Sequence, residues 1–132
     1  MTQQAIRGAL QTHLLTLGWA DETAFEGRTF TPAADEPYQQ VATLFAEPNS
    51  YGLGDGALER GIFQVSLRYP VSRVAEDGIG QVTARAEAIR AAFPKNLTVG
   101  GVVKVARRPE ITRLGVDGDR DVTIIRVRFI ER

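Results

Sequence analysis

The segment GIFQVSLRYP, residues 61–70, alternates apolar and polar side chains: Phe63, Val65, Leu67 and Tyr69 fall on one side, Gln64, Ser66 and Arg68 on the other. Successive side chains of a strand point to opposite faces, so this period predicts a strand with one buried face. The segment DVTIIRVRFIE, residues 121–131, repeats the arrangement, setting Ile125, Val127 and Phe129 against Ile124, Arg126, Arg128 and Ile130. Two further runs read as strands. YQQVATLFA (38–46) is apolar on both faces near its centre, and VVKVAR (102–107) follows NLTV through Gly100 and Gly101, a pair suited to a hairpin turn.

A sheet with apolar faces needs cover, and two segments have helical spacing. Ala5, Ile6, Ala9, Leu10, Leu14 and Leu17 predict an amphipathic helix over residues 3–17, with Thr2 as N-cap and Gly18 as stop. Val82, Ala86, Ile89 and Phe93 predict a second helix, closed by Pro94. Between the first helix and the first strand, residues 19–37 have no period and include Pro32 and Pro37. This stretch is expected to wrap over the core, pinned by Trp19, Phe25 and Phe30. The order α-β-β-α-β-β implies an α+β fold, a mainly antiparallel sheet of about four or five strands with two helices packed on it. No repeat or linker divides residues 1–132, so a single domain is expected.

Composition narrows the chemistry. Without cysteine there is no disulfide framework, thiolate metal site or thiol nucleophile. Sixteen acidic and sixteen basic residues cancel, so the bulk attraction that drives non-specific nucleic-acid binding is missing at the level of the whole chain. The N-terminal MTQQAIRGALQTHLLTLGW has an apolar stripe in place of a continuous apolar run, which reads as neither signal peptide nor membrane span. A soluble product that stays where it was translated is the simplest expectation.

No catalytic constellation assembles from the residues. AEPNSYGLGDGALERG, residues 46–61, spaces its glycines as G-x-G-x-G, lacks the Lys-Ser/Thr of a phosphate loop and runs into a strand, whereas phosphate cradles open onto helices. DGDRD, residues 117–121, imitates the start of an EF-hand loop, but Val122 stands where its turn glycine belongs and Arg128 where its bidentate glutamate belongs. A turn before the last strand is expected there. His13 is the sole histidine, expected on the edge of the first helix, and no serine sits in a G-x-S-x-G elbow. Asp35/Glu36 and Glu76/Asp77 lie in polar segments where solvation explains them. The expectation is a protein without enzymatic activity, metal or cofactor.

Two interaction features remain. The loop between the first two strands far exceeds the usual hairpin length, and Tyr51, Leu53 and Leu58 give it apolar groups for a partner. A flexible connection is the alternative. Arg126 and Arg128 share a strand face with Ile124 and Ile130, and Arg68 projects similarly from another strand; if the strands pair, a basic stripe with exposed apolar residues results, suited to a protein contact. An ordinary solvated face is the alternative reading.

Taken in order, the helix ending near LGW, FTPAADEPYQQVATLFAEP, the long loop, RGIFQVSLRYP, the helix ending in IRAAFP and the closing VTIIRVRFIER resemble the tail terminator proteins of long-tailed phages and prophages, over nearly the whole chain. In VSRVAEDGIGQV, small-residue turn signals are fewer than the resemblance leads one to expect. The resemblance implies a structural protein of the virion tail, present in the host cytoplasm during assembly. Its subunits would form a ring, a hexamer, that caps the tail tube, ends tube polymerisation and provides the surface for joining the head. The implied partners are further copies of the chain, the tail tube protein and the head-tail connector protein, with no membrane and no sequence-specific nucleic acid. Alternatives are a small-molecule or peptide-binding α+β module, or another head-tail completion or tail-tube subunit.

Overall fold

Two long strands, β3 (Arg60–Pro70) and β7 (Arg120–Glu131), pair antiparallel from Arg60↔Ile130 to Pro70↔Arg120 without a register shift. The computed structural model describes residues 3–20, 22–32, 36–46 and 59–131. The other elements are α1 (Gln3–Leu15), β1 (Thr23–Ala24), β2 (Tyr38–Phe45), α2 (Val71–Asp77), α3 (Gly80–Ala92), β4 (Thr98–Val99), β5 (Val103–Val105) and β6 (Glu110–Asp117). The sheet runs β1-β2-β3-β7-β5-β4, and β6 also pairs with β7. β5 takes the last residues of β7 and β6 the earlier ones, so the two share its outer edge. Among the described strands, β1 and β2 pair in parallel and the other pairs are antiparallel.

The core lies on one face of this sheet. Phe63, Val65, Leu67 and Tyr69 of β3 and Ile125, Val127 and Phe129 of β7 are buried, as their alternation predicts. Ile6, Leu10 and Leu14 of α1 and Val82, Ala86 and Ile89 of α3 pack against them, and Val74 of α2 joins the cluster. Burying each large aliphatic or aromatic side chain stabilises by about 1.5–3 kcal/mol, which makes this face the main source of stability.

The chain turns where its glycines permit. Gly18 follows α1 at φ +89°. Gly100 and Gly101, at φ +59° and +72°, form the turn before β5, closed by the Val102 N–H donating to the Val99 carbonyl at 3.1 Å. A positive φ at both central residues is what a type I′ hairpin turn requires. DGDRD is likewise a hairpin turn: Asp117 pairs with Arg120 around Gly118, at φ +66°.

The stretch after α1 is pinned as expected, and by more than its aromatics. The Arg85 guanidinium stacks 4.3 Å over Trp19 and donates to the Leu17 carbonyl at 3.0 Å and to Gln39 Oε1 at 3.2 Å. Buried Gln39 donates in turn to Thr23 Oγ1 at 2.9 Å. Burial lowers the Arg85 pKa below the usual arginine range, opposed by Tyr69 and Glu22. Burial also raises the Tyr69 phenol above its ordinary value, while Arg85 pulls it down. His13 lies where α1 meets α3, its Nε2 2.6 Å from the Ala92 carbonyl and its ring edge-on to Phe93.

The α+β class stands, and its details are corrected. Among the described residues the sheet has seven strands, three helices accompany it, and the order is α-β-β-β-α-α-β-β-β-β. β1 and β4 have two residues each, too few to show a period. α2 begins directly after Pro70 and is separated from α3 by Gly78 at φ +77°, so the segment between β3 and α3 carries a helix of its own. β6 is a full strand that sequence periodicity misses, because a bulge between Arg113 and Gly115 breaks its alternation and it is mostly exposed.

Candidate interaction face

The helices cover one face of the sheet; the other face carries the residues that the sequence pattern sets opposite the core. Across β3 and β7 the register juxtaposes Ile62 with Arg128, Gln64 with Arg126, Ser66 with Ile124 and Arg68 with Val122. β2 continues the face, with Leu44 opposite Ile62, Ala42 opposite Gln64 and Gln40 opposite Ser66. Side chains alternate along paired strands, so these residues form one continuous surface.

Two grooves mark this surface. One, of about 330 Å³, is lined by Gln40, Gln64, Ser66, Ile124, Leu114 and Val116 among others. The other, of about 470 Å³, brings apolar Leu44, Ile62 and Ile130 together with the cations Arg60, Arg107 and Arg128. Among the described residues, the large hydrophobics left exposed are Leu44, Ile79, Leu114 and Val116, and three of these four line the two grooves. Exposed apolar groups that cluster, as opposed to scattering singly, mark contact surfaces.

The arginine face does not take the form its sequence suggests. Arg68 is separated from Arg126 and Arg128 by the Ser66 and Ile124 positions, so no continuous basic stripe forms. Arg68 pairs with Asp117 at 3.3 Å and Arg128 with Glu110 at 3.4 Å, while Arg126 stands opposite Glu110 in the β6–β7 register. Ile124 is 7% exposed and contributes to the wall of a groove, not to an open apolar surface. The exposed apolar groups come from β2 and β6 instead, where no regular alternation signals them.

Two of the aspartates of DGDRD, Asp117 and Asp121, hold arginines around the hairpin. Asp121 is buried and accepts from Arg113 Nε at 3.2 Å and from its terminal nitrogen, which raises the Arg113 pKa through that hydrogen bond and the charge of Asp121. Asp117 holds Arg68. Tyr51, Leu53 and Leu58 lie outside the described residues.

The architecture belongs to a known group. The family described as phage tail terminator protein matches residues 5–129. The chain is a member of the phage tail terminator family. It is therefore a structural protein of phage tails. A solved structure that bears no functional name is 26% identical, with a TM-score of 0.74, covering 100% of this chain and 96% of its own. A chain from the virion of a native gene transfer agent particle shares the fold at 17% identity and a TM-score of 0.59, over 98% of this terminator-family chain and 94% of its own. No curated protein matches the chain.

Proposed function

We propose that copies of this chain close into a ring, a hexamer, on the end of the finished tail tube, stop its growth and present the surface to which the head connector joins. The observation that carries this reading, beside family membership, is the sheet face opposite the helices, which gathers Leu44, Leu114 and Val116 along two grooves. Apolar groups that a subunit leaves exposed are covered when it meets a partner. On this reading subunits gather in the host cytoplasm and become part of the virion tail, with the tube protein on one side and the connector on the other.

On the sheet, Arg68, Arg126 and Arg128 flank the contact among the exposed apolar groups, and Ile124 forms the wall of the groove that the partner fills. Tyr51, Leu53 and Leu58 add a second contact, used when ring or tube is met. Neither catalysis nor a cofactor enters this role.

The test is tail length. In cells assembling phage with Tyr51→Ala, tails of irregular length and failed head joining are expected, with the monomer's melting temperature unchanged. Normal tails from that variant remove the loop from the mechanism, and normal tails in the complete absence of the protein overturn the proposed function.

A further inference from the structure

The charges of this chain cancel in sum but not in place. Residues 20–59 contain eight carboxylates and a single cation, Arg28, whereas residues 88–109 contain five cations and no carboxylate. Among the described residues the first stretch supplies Glu22, Glu26, Glu36 and Glu59 together with β1 and β2 at one end of the strand order, and the second supplies β4 and β5 at the other end. α1 stands between the two ends. Arg7 reaches Glu26 just after β1 at 3.4 Å, while a Cβ added to Gly100, in the β4–β5 turn, would come within 2.8 Å of Ala9.

At the basic end Lys95, Lys104, Arg107 and Arg108 are exposed, and among the described residues none of the four makes an ion pair. Lys95 and Arg108 line a groove of about 460 Å³ together with Arg90, Ala91 and Pro94. At the acidic end Glu22, Glu26 and Glu36 are exposed. Glu26 and Glu36 hold Arg7 and Arg73 at 3.4 Å and 3.2 Å, but solvent-exposed pairs of this kind are weak and leave the carboxylates open to a second cation.

A closed ring is built from heterologous contacts, in which one patch of a subunit meets a different patch of the next. A subunit with opposite charge at its two ends suits that geometry and disfavours pairing of like ends, because facing like charges repel. We infer that the β4–β5 end of one copy docks against the β1–β2 end of the next, with Lys95, Arg107 and Arg108 set against Glu22 and Glu36. This inference rests on the ring reading and names the surfaces that meet in it.

Charge reversal separates the two claims. One full-length variant carries Lys95→Glu, Arg107→Glu and Arg108→Glu; a second carries Glu22→Lys and Glu36→Lys. Their masses are followed by analytical ultracentrifugation across protein concentration at low and high salt, beside the unaltered protein. Each variant alone is expected to associate about tenfold or more weakly than the unaltered chain, with both remaining folded by circular dichroism. Mixed one to one they should assemble again, because every junction of an alternating ring then joins an acidic end to a basic one. Variants that form rings alone as well as the unaltered chain, or a mixture that fails to recover, overturn the docking while leaving the ring reading intact. An unaltered chain that stays monomeric at every concentration and on tube ends defeats both.

Discussion

Gly61 lies against the carbonyl of Leu44 so closely that a Cβ at this position would come within 2.1 Å of the oxygen. The contact joins the start of β3 to the end of β2, and Gly61 pairs in register with the adjacent Phe45. Backbone on one side and the Phe129 ring, 3.1 Å away, on the other leave no flexible group to yield. Gly61→Ala is therefore expected to destabilise the fold by about 1–3 kcal/mol and lower Tm by several degrees, measured by thermal unfolding. An unchanged Tm contradicts the assigned packing.

Tyr69 supplies a pH dependence. Burial raises its pKa above the ordinary 10.0, so in the folded chain the phenol stays protonated where an unfolded chain would ionise it. The stabilising contribution is whole below the unfolded pKa and is lost as pH rises through the folded value. Urea midpoints should fall as pH climbs past about 10, and Tyr69→Phe should flatten that fall. Equal slopes for the two proteins exclude Tyr69 as the cause.

Leu114 and Val116 test whether the face opposite the helices is a contact. Both are more than half exposed, at 60% and 64%, and neither belongs to the core cluster. Leu114→Asp with Val116→Asp should change monomer stability little, within about 0.5 kcal/mol per site, as surface substitutions do. Tube capping should weaken strongly. Full capping by a normally folded double variant removes β6 from the interface.

Arg128 sits opposite the core side chains and pairs with Glu110 across an exposed gap of 3.4 Å. Arg128→Glu sets two carboxylates face to face and reverses charge beside the groove of Leu44, Ile62 and Ile130. The expected result is a folded monomer with lost assembly, read by Tm, solution mass and tube capping. Wild-type rings that also cap tubes at full efficiency identify Arg128 as solvated surface.

How much of this was legible in the sequence depends on burial. β3 and β7 each turn one apolar face to the core, so their alternation of side chains announces both strand and inward face, although it does not show that Arg120–Ile125 of β7 are buried on both faces. α1 and α3 show their buried stripes for the same reason. β6 is invisible to that logic because it is mostly exposed and its bulge shifts register at Arg113/Gly115. The candidate face followed from the same parity, which correctly set Arg126 and Arg128 away from Ile125 and Val127. Parity cannot foresee side-chain partners from elsewhere in the chain: Glu110 and Asp117, which neutralise Arg128 and Arg68, come from β6. Nor does local alternation reveal which apolar residues on the outer face remain uncovered, since Ile124 is enclosed while Leu114 is not.

The central claim is that this protein ends the tail tube as a ring. Electron microscopy of tubes grown from purified tube protein, with and without the chain, tests it most directly. One extra ring of density at a single end, on tubes that no longer lengthen when more tube protein is supplied, is the expected result. Tubes that bear no added ring and continue to lengthen in an excess of folded protein would contradict it.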